Sequence, residues 1–310
     1  MKALALSSFD EEPSVVDVED PKPGPGEVLV RLAAASINAF DVTVARGGAR
    51  AFMEYQLPAV IGSDLAGTVE DLGEGVDGFA VRDRVFGMMG MKGAVHDGSF
   101  GELATPTALS IAKAPDGLRD VDAGSLAVAG TTAMSAVEAV APNDGTIVLV
   151  LGATGGVGSF ALQLARGRGA HVIASVRPGD EGFVTDLGAA ETVDYTGDIA
   201  AAIRERHPDG VDAAIDAVSH GDAFAVTANL VHAGGMLVST RGAAGEATDL
   251  HGVRVANANG NPAHLLPLAN LVVKGELKVA VRKTYPLADA AQAIADFANQ
   301  HTVGKLVITM

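Results

Sequence analysis

The sequence predicts an α/β protein in which a β-rich region is followed by a doubly wound parallel sheet. The first third of the chain holds short apolar runs between Pro and Gly clusters, and strand and helix patterns alternate from Thr146 onward. A length of 310 residues favours about two domains. We therefore expect one domain at 1–118, to which a tail at 258–310 returns, and a second domain at 119–257.

The β-rich region has the signals of a small barrel or sandwich. Runs rich in Val, Leu and Ala at 2–6, 27–35, 66–70 and 84–88 predict strands. Pro and Gly clusters such as 21–26 separate these runs and predict turns. Short strands between frequent turns are typical of such a fold.

The second region reads as repeated βαβ units, which imply a parallel sheet. Strands are predicted at 146–151, 171–176, 192–195, 211–217 and 235–240. Helices are predicted at 122–140, 157–167, 179–187, 199–206 and 223–231. In the tail we expect helices at 262–274 and 287–299, an extended segment at 278–285 and a last strand at 305–309.

The strongest motif is the glycine-rich turn at 148–158, between an apolar strand and an amphipathic helix. Glycines allow a tight turn and a close backbone approach to a pyrophosphate, and the start of the helix directs free N–H groups at that anion. Gly155 and Gly158 fill two positions of the dinucleotide fingerprint, whereas Ala153 stands at the first. The motif predicts a Rossmann-type dinucleotide site; the alternative is an ordinary glycine turn in a parallel sheet.

The end of the next strand bears on which nicotinamide cofactor is bound. An NAD site usually carries a carboxylate there, but the strand at 171–176 is followed by Arg177. Ser175 and Arg177 offer a hydroxyl and a cation to a 2′-phosphate, which favours NADP(H). Asp180 and Glu181 are close enough in sequence to pair with Arg177, and a solvated surface arginine is the alternative.

Composition excludes several classes of site and partner. The chain has no Cys, which excludes disulfides, Cys nucleophiles, iron–sulfur clusters and Cys-ligated zinc. A net charge of −16 disfavours nucleic acid. Apolar runs such as 265–273 fall short of the ~20 residues of a membrane span, and the N-terminus is too acidic for a secretory signal. We expect a soluble, cytoplasmic protein.

An ordered set of segments resembles the medium-chain dehydrogenase/reductase superfamily, and more closely its zinc-independent quinone oxidoreductase and enone reductase branch. These segments are 25–30, 37–41, 58–67, 130–133, 153–158, 187–189, 193–195 and 304–307. The resemblance implies a GroES-like catalytic domain beside a Rossmann domain, with the active site in the cleft and hydride transfer from NADPH. Ser63 stands where zinc-dependent relatives carry His, so no metal is expected. Thr43 departs from enone reductases that have Lys there.

The resemblance also assigns residues. Asn38 is expected near nicotinamide and substrate; the alternative is that it only hydrogen-bonds a loop carbonyl. Asp41 is expected to fix loop geometry rather than to move a proton. The expected cofactor contacts are Thr132 at the nicotinamide, Thr154, Gly155, Gly156 and Val157 at the pyrophosphate, Ser175, Arg177 and Tyr195 at the 2′-phosphate, Val218 at the adenine or ribose, and Gly304 and Lys305 at the nicotinamide end.

Hydride transfer also requires a proton donor and a pocket for the acceptor. The anion formed on the acceptor needs a proton, for which Tyr55 or water is the candidate. Candidates to line an apolar substrate pocket are Phe52, Tyr55 and the methionine-rich stretch 88–91. The alternative for these methionines is that they only fill the core. His96, His207, His220 and His301 lie in polar contexts and are expected to be solvated.

Three functions remain open at this point. The first is an NADPH-dependent quinone reductase, and the second is a reductase of α,β-unsaturated ketones, aldehydes or enoyl thioesters. The third is an NADPH-binding redox sensor without significant turnover. The family expectation is a homodimer acting on a small molecule, and 253–257 is a candidate edge strand for pairing between two subunits.

Overall fold

A computed structural model of the chain describes residues 1–90 and 94–310. It divides into two units, which we call unit 1 (Met1–Val128 with Pro262–Met310) and unit 2 (Ala129–Asn261).

The strands are β1 Lys2–Leu6, β2 Ser14–Asp17, β3 Val28–Ser36, β4 Glu54–Tyr55, β5 Ala59–Val60, β6 Asp64–Leu72, β7 Arg84–Met88, β8 Ala94–Val95, β9 Leu103–Ala104, β10 Ile111–Lys113, β11 Ile147–Leu151, β12 His171–Val176, β13 Glu191–Asp194, β14 Val211–Asp216, β15 Val231–Ser239, β16 Asp249–Leu250, β17 Val253–Asn257, β18 Val281–Pro286 and β19 Lys305–Thr309. The α-helices are α1 Ala39–Ala45, α2 Asp120–Ala123, α3 Ala127–Val140, α4 Gly156–Gly167, α5 Glu181–Asp186, α6 Ile199–Arg206, α7 Asp222–Ala228, α8 Leu265–Val273 and α9 Ala290–Asn299. Short 3₁₀ turns lie at Gly48–Ala51, Ala108–Ser110, Pro262–His264 and Leu287–Asp289.

Unit 1 is built around a mixed sheet with the order β10-β7-β6-β3-β19-β18, in which β9 also pairs with β3. A smaller sheet has the order β2-β1-β5, and β4 pairs with β8. Val28, Val30 and Leu32 alternate along β3 and are buried, as a half-buried strand requires. They pack with Leu65 and Val69 of β6 in one of the cores of the unit.

The C-terminal strand β19 completes this sheet by pairing antiparallel with β3. Gly304 makes the entry into β19 possible, because its φ is +77° and a Cβ there would lie 2.2 Å from the carbonyl oxygen of Ala280. The next residue, Lys305, therefore enters the interior beside Ile37, whose N–H donates to the Leu306 carbonyl over 2.9 Å.

Unit 2 is a doubly wound sheet with the order β13-β12-β11-β14-β15-β17-β16. Strands β11 to β15 are parallel to their neighbours, and the order reverses between β11 and β14. Ligands of such sheets bind outside the carboxyl ends of the strands at this reversal. The predicted α/β fold class is confirmed.

Several predicted elements differ in the structure. The helix expected at 122–140 is divided into α2 and α3, because Gly124 ends α2 and its carbonyl accepts the Ser36 N–H over 2.8 Å. A Cβ on Gly124 would lie 2.5 Å from the Ala34 carbonyl oxygen, so this close approach needs glycine. The strand β17 is not outermost as expected, because β16 pairs with its first half.

The helices of the described residues are all too short or too polar to cross a membrane.

Candidate active site and cofactor turn

The glycine-rich turn of unit 2 connects β11 to α4. Gly152 follows β11 with a φ of +76°, and its carbonyl accepts the Gly155 N–H over 3.0 Å. A Cβ on Gly158 would lie 2.1 Å from the Gly152 carbonyl oxygen, whereas a Cβ on Gly155 would lie at an ordinary 3.4 Å. Gly158 thus lets α4 pack against the turn, while the turn itself does not need glycine at 155.

The start of α4 has the properties of an anion site. Its N-cap is Gly155, which offers no side-chain hydrogen bond to the first turn of the helix. The backbone N–H groups of this turn are therefore left for water or an anion, and the helix dipole favours negative charge there. Thr154 is buried, and Gly155, Gly156 and Val157 are partly accessible.

Ser175 holds the turn from the neighbouring strand. Its hydroxyl accepts the Gly152 N–H over 3.0 Å, and the residue is 1% exposed at the end of β12. The hydroxyl is directed at the turn rather than at solvent. This placement gives Ser175 a supporting position, in contrast to the direct phosphate contact that the sequence suggested.

Arg177 and Tyr195 meet just beyond the carboxyl ends of β12 and β13. The Arg177 Nε donates to the Tyr195 hydroxyl over 2.6 Å, and the guanidinium carbon lies 5.9 Å from the ring centroid. Both side chains are exposed. Glu181 accepts the nearby Gly179 N–H over 2.8 Å. Arg177 and Tyr195, both expected at the 2′-phosphate, thus form one exposed corner.

Other residues lie along the same edge. Val218 follows β14, is 53% exposed, and has its side chain beside Gly152. Arg241, beyond β15, has its Nη2 2.7 Å from Nε2 of His220. Thr132 lies within α3 and is 7% exposed.

In unit 1 the structure surrounds Asn38 with a buried polar cluster. Asn38 is the N-cap of α1 and is 8% exposed. Its side-chain amide donates to Asp64 over 2.9 Å and to the Ser36 carbonyl over 3.4 Å, while its Oδ1 accepts from Lys305 over 2.7 Å. These hydrogen bonds fix the orientation of the Asn38 carboxamide, and its N–H groups donate to acceptors within the protein.

Asp64 and Lys305 are the charged members of this cluster. Asp64 is 0% exposed and accepts hydrogen bonds from the Ser36 hydroxyl, the Asn38 amide and the Val128 N–H. The Lys305 Nζ lies 3.7 Å from Asp64 and donates to the Ile37 carbonyl over 3.1 Å. Burial lowers the pKa of Lys305, and the nearby carboxylates oppose that shift.

This placement bears on the expected role of Lys305. Its ammonium donors are directed at Ile37, Asn38 and Asp64, so the group is engaged inside unit 1. Asp64 was noted only as part of the segment 58–67 and was not predicted to be a site residue; it is 241 positions from Lys305 in the chain. No local pattern connects two such residues.

A second acid, Asp41, lies in the first turn of α1. Its Oδ2 accepts the Asn38 N–H over 2.7 Å, and its Oδ1 accepts from the Ser63 hydroxyl over 2.5 Å. Asp41 is 1% exposed, whereas Ser63 is partly accessible. Burial raises the pKa of Asp41 to about 7, although its hydrogen bonds to Ser63 and Asn38 oppose that shift.

Asp41 and Ser63 line a small pocket of about 80 Å³, which is room for several water molecules or a small planar group. Its other described lining residues are mostly apolar: Phe40, Val44, Met53, Val60, Ile61, Gly62, Met89, Gly90, Ala94, Val95, Asp97 and Gly98. Met89 and Gly90 of the expected stretch 88–91 belong to this lining. Met91 lies outside the described residues.

Tyr55 has a different environment from the one expected. Its hydroxyl donates to the Val44 carbonyl of α1 over 3.1 Å, and its ring packs edge-on against Phe9 with centroids 5.3 Å apart. Burial raises its pKa. Neither Tyr55 nor Phe52, which is 66% exposed, is among the described residues that line the pocket.

Among the described residues, no group of three or more His, Cys, Asp or Glu side chains is arranged to hold a metal ion.

Comparison with known proteins gives matches along most of the chain. An alcohol dehydrogenase GroES-like domain matches residues 24–116, and a zinc-binding dehydrogenase domain matches 187–308. The chain is 32% identical over 308 residues to the chloroplast envelope quinone oxidoreductase homolog of Arabidopsis thaliana, covering 94% of this chain and 92% of that protein.

Two further comparisons agree with these matches. The chain is 28% identical over 309 residues to the chloroplastic quinone-oxidoreductase QR1 of Triphysaria versicolor, covering 94% of this chain and 92% of that one. The solved structure of the quinone oxidoreductase from Coxiella burnetii superposes with a TM-score of 0.90 at 27% identity, covering 100% of this chain and 99% of that one.

Proposed function

The chain belongs to the quinone oxidoreductase branch of the medium-chain dehydrogenase/reductase superfamily, and from this premise we propose that it is a metal-independent, NADPH-dependent quinone reductase. Unit 2 is proposed as the cofactor-binding domain and unit 1 as the catalytic domain. The proposal of NADPH as the cofactor is supported mainly by one observation: the start of α4 without a side-chain cap and the Arg177–Tyr195 corner lie on the same edge of the sheet.

The residues of unit 2 fit a dinucleotide with a 2′-phosphate. The first-turn N–H groups at Gly156 and Val157 would hold the pyrophosphate, with Thr154 and Gly155 beside it. Arg177 and Tyr195 would hold the 2′-phosphate with a guanidinium and a hydroxyl. Val218 and Thr132 are proposed at the adenosine and nicotinamide ends. The bound cofactor supplies the hydride.

Hydride transfer to a quinone, the proposed acceptor, requires no metal. The conjugated ring of a quinone is already electron-poor, so hydride transfer depends on alignment and on stabilising the anion that results. The zinc ligands of related enzymes include Cys and His, but this chain has no Cys and has Ser63 at the His position. Asn38 is proposed to act by holding the buried cluster, since its amide donors are used by Asp64 and Ser36.

Arg177→Ala tests the cofactor assignment. Loss of a charge-assisted contact of about 1.5–3 kcal/mol is expected to weaken NADPH binding by roughly 10–100-fold. Binding of NADH, which has no 2′-phosphate, should change little. Cofactor titration by fluorescence, together with KM from the loss of NADPH absorbance, measures both effects.

Arg206→Ala is the matched control, because Arg206 is also an exposed arginine of unit 2 but pairs with Glu191 over 2.7 Å. Equal NADPH affinity in Arg177→Ala and the unaltered protein, or a preference for NADH, would overturn the NADPH assignment.

Turnover decides among the functions. We expect the purified protein to oxidise NADPH rapidly with a simple ortho-quinone. Turnover with a simple enone alone would instead assign the enone reductase activity. Tight NADPH binding without reduction of either acceptor would assign a redox sensor.

A further inference from the structure

The oxygen anion of the reduced acceptor needs a proton, and none of the residues proposed above donates it. The two residues considered from the sequence do not provide one in the structure. The Tyr55 hydroxyl donates a hydrogen bond to the Val44 carbonyl, and the amide of Asn38 donates hydrogen bonds to Asp64 and the Ser36 carbonyl. Asp41 and Ser63, by contrast, are hydrogen-bonded to each other and line a pocket.

Burial is the main cause that favours the protonated form of Asp41, and the nearby Asp64 carboxylate adds to it. Asp41 and Asp64 lie in the field of the same cation, Lys305. Asp64 has the closer ion pair, at 3.7 Å, and accepts hydrogen bonds from three donors, so it is the carboxylate that the cluster stabilises as an anion. Asp41 is left as the second acid beside one cation in a buried site, where a proton replaces the missing countercharge. Asp97, which pairs with His96 over 2.7 Å, is a further acid in the pocket lining.

Ser63 is the connection between this acid and the pocket. Asp41 itself is 1% exposed, so a proton leaves it most directly through the partly accessible Ser63 hydroxyl, 2.5 Å away. When Asp41 is ionised, Ser63 donates to its carboxylate. When Asp41 is protonated, the carboxyl donates to the Ser63 oxygen, and the proton of the serine hydroxyl is free to turn toward the pocket.

We propose that Asp41 and Ser63 are the proton relay of unit 1, with Ser63 delivering a proton to the oxygen anion of the reduced acceptor and Asp41 replacing it. This inference rests on the proposed quinone reductase function. The hydride brings two electrons to the acceptor and leaves an oxygen anion. The Ser63 O–H bond breaks as the acceptor O–H bond forms, the Asp41 proton passes to the Ser63 oxygen, and Asp41 is left as a carboxylate that solvent reprotonates.

Ser63→Ala is the first test. It removes the hydroxyl and leaves Asp41 in place, so kcat with the ortho-quinone is expected to fall by about 100-fold, in the range of general acid catalysis. NADPH affinity and the quinone KM should stay the same. Because the acid form of Asp41 is the donor, kcat of the unaltered protein should decrease as the pH rises through about 7, and this decrease should be absent from Ser63→Ala.

Three further variants complete the experiment. Ser63→Thr keeps a hydroxyl and should restore most of kcat and its pH dependence. Ser99→Ala removes a buried hydroxyl that has no hydrogen-bond partner among the described residues, and it should leave kcat unchanged. Asp41→Asn keeps an acceptor for the Asn38 N–H and should lose both kcat and the pH dependence.

The outcomes separate the relay from the function on which it rests. Quinone turnover by the unaltered protein, with kcat and its pH profile preserved in Ser63→Ala, would overturn the relay and leave the reductase intact. Absence of turnover in the unaltered protein, despite NADPH binding, would overturn the reductase proposal and the relay with it. If Asp41→Asn does not fold, the comparison of Ser63→Ala with Ser63→Thr decides.

Discussion

Replacing Lys305 with Met is expected to lower the free energy of unfolding by about 3–5 kcal/mol. The ammonium is 3% exposed and bonds Asn38 over 2.7 Å beside an Asp64 that is fully buried. Methionine fills a similar volume but leaves the Asp64 carboxylate without a countercharge. The expected loss of stability comes from the unpaired charge that is left in the interior. It is therefore larger than the net contribution of the intact ion pair to the free energy of unfolding. Urea denaturation followed by circular dichroism measures the change.

Two comparisons identify the cause of this loss. Lys113→Met breaks an exposed pair with Asp83, 2.8 Å long, and should cost at most about 1 kcal/mol. Adding Asp64→Asn to Lys305→Met removes the unpaired charge and should recover part of the stability. A Lys305→Met protein as stable as the Lys113→Met control would show that the buried pair does not need both charges.

Gly158→Ala is expected to destabilise unit 2 by about 1–3 kcal/mol, as overpacking does, and to weaken NADPH binding at least roughly tenfold. The added Cβ would lie 2.1 Å from the Gly152 carbonyl oxygen and 2.8 Å from the Ala153 Cα, both of which are backbone atoms that cannot rotate away. Helix α4 must shift from the turn, which moves the N–H groups proposed to bind the pyrophosphate. Thermal unfolding and NADPH titration measure the two effects.

Other glycines of the same segment supply the controls. Gly167 ends α4 and has nothing within 4 Å of an added Cβ, so Gly167→Ala should preserve stability and binding. Gly155→Ala is sterically ordinary in the free protein, with the nearest atom at 3.4 Å. It should weaken NADPH binding without destabilising the fold. Normal NADPH affinity in Gly158→Ala would contradict the assignment of this turn.

The local features of the protein were predictable because they are encoded in short stretches of chain. Strand β7 and the final strand β19 have the bounds that their apolar runs predicted. The alternation of strands and helices predicted the doubly wound sheet, since each βαβ unit is specified by its own periodicity. The break between α2 and α3 was not predictable, because the need for Gly124 comes from the Ala34 carbonyl of a distant strand.

The family, the glycine turn and the presence of Arg177 beyond β12 could be predicted because they depend on residue type and spacing. The contacts of the buried polar residues come instead from the tertiary structure. Asn38, Asp64 and Lys305 form a cluster only because β19 pairs with β3 and brings Lys305 to a residue 267 positions away. Burial raises the pKa of Asp41 to about 7 although Lys305 opposes the shift, a property that residue type does not reveal because it arises from removing the carboxyl group from water.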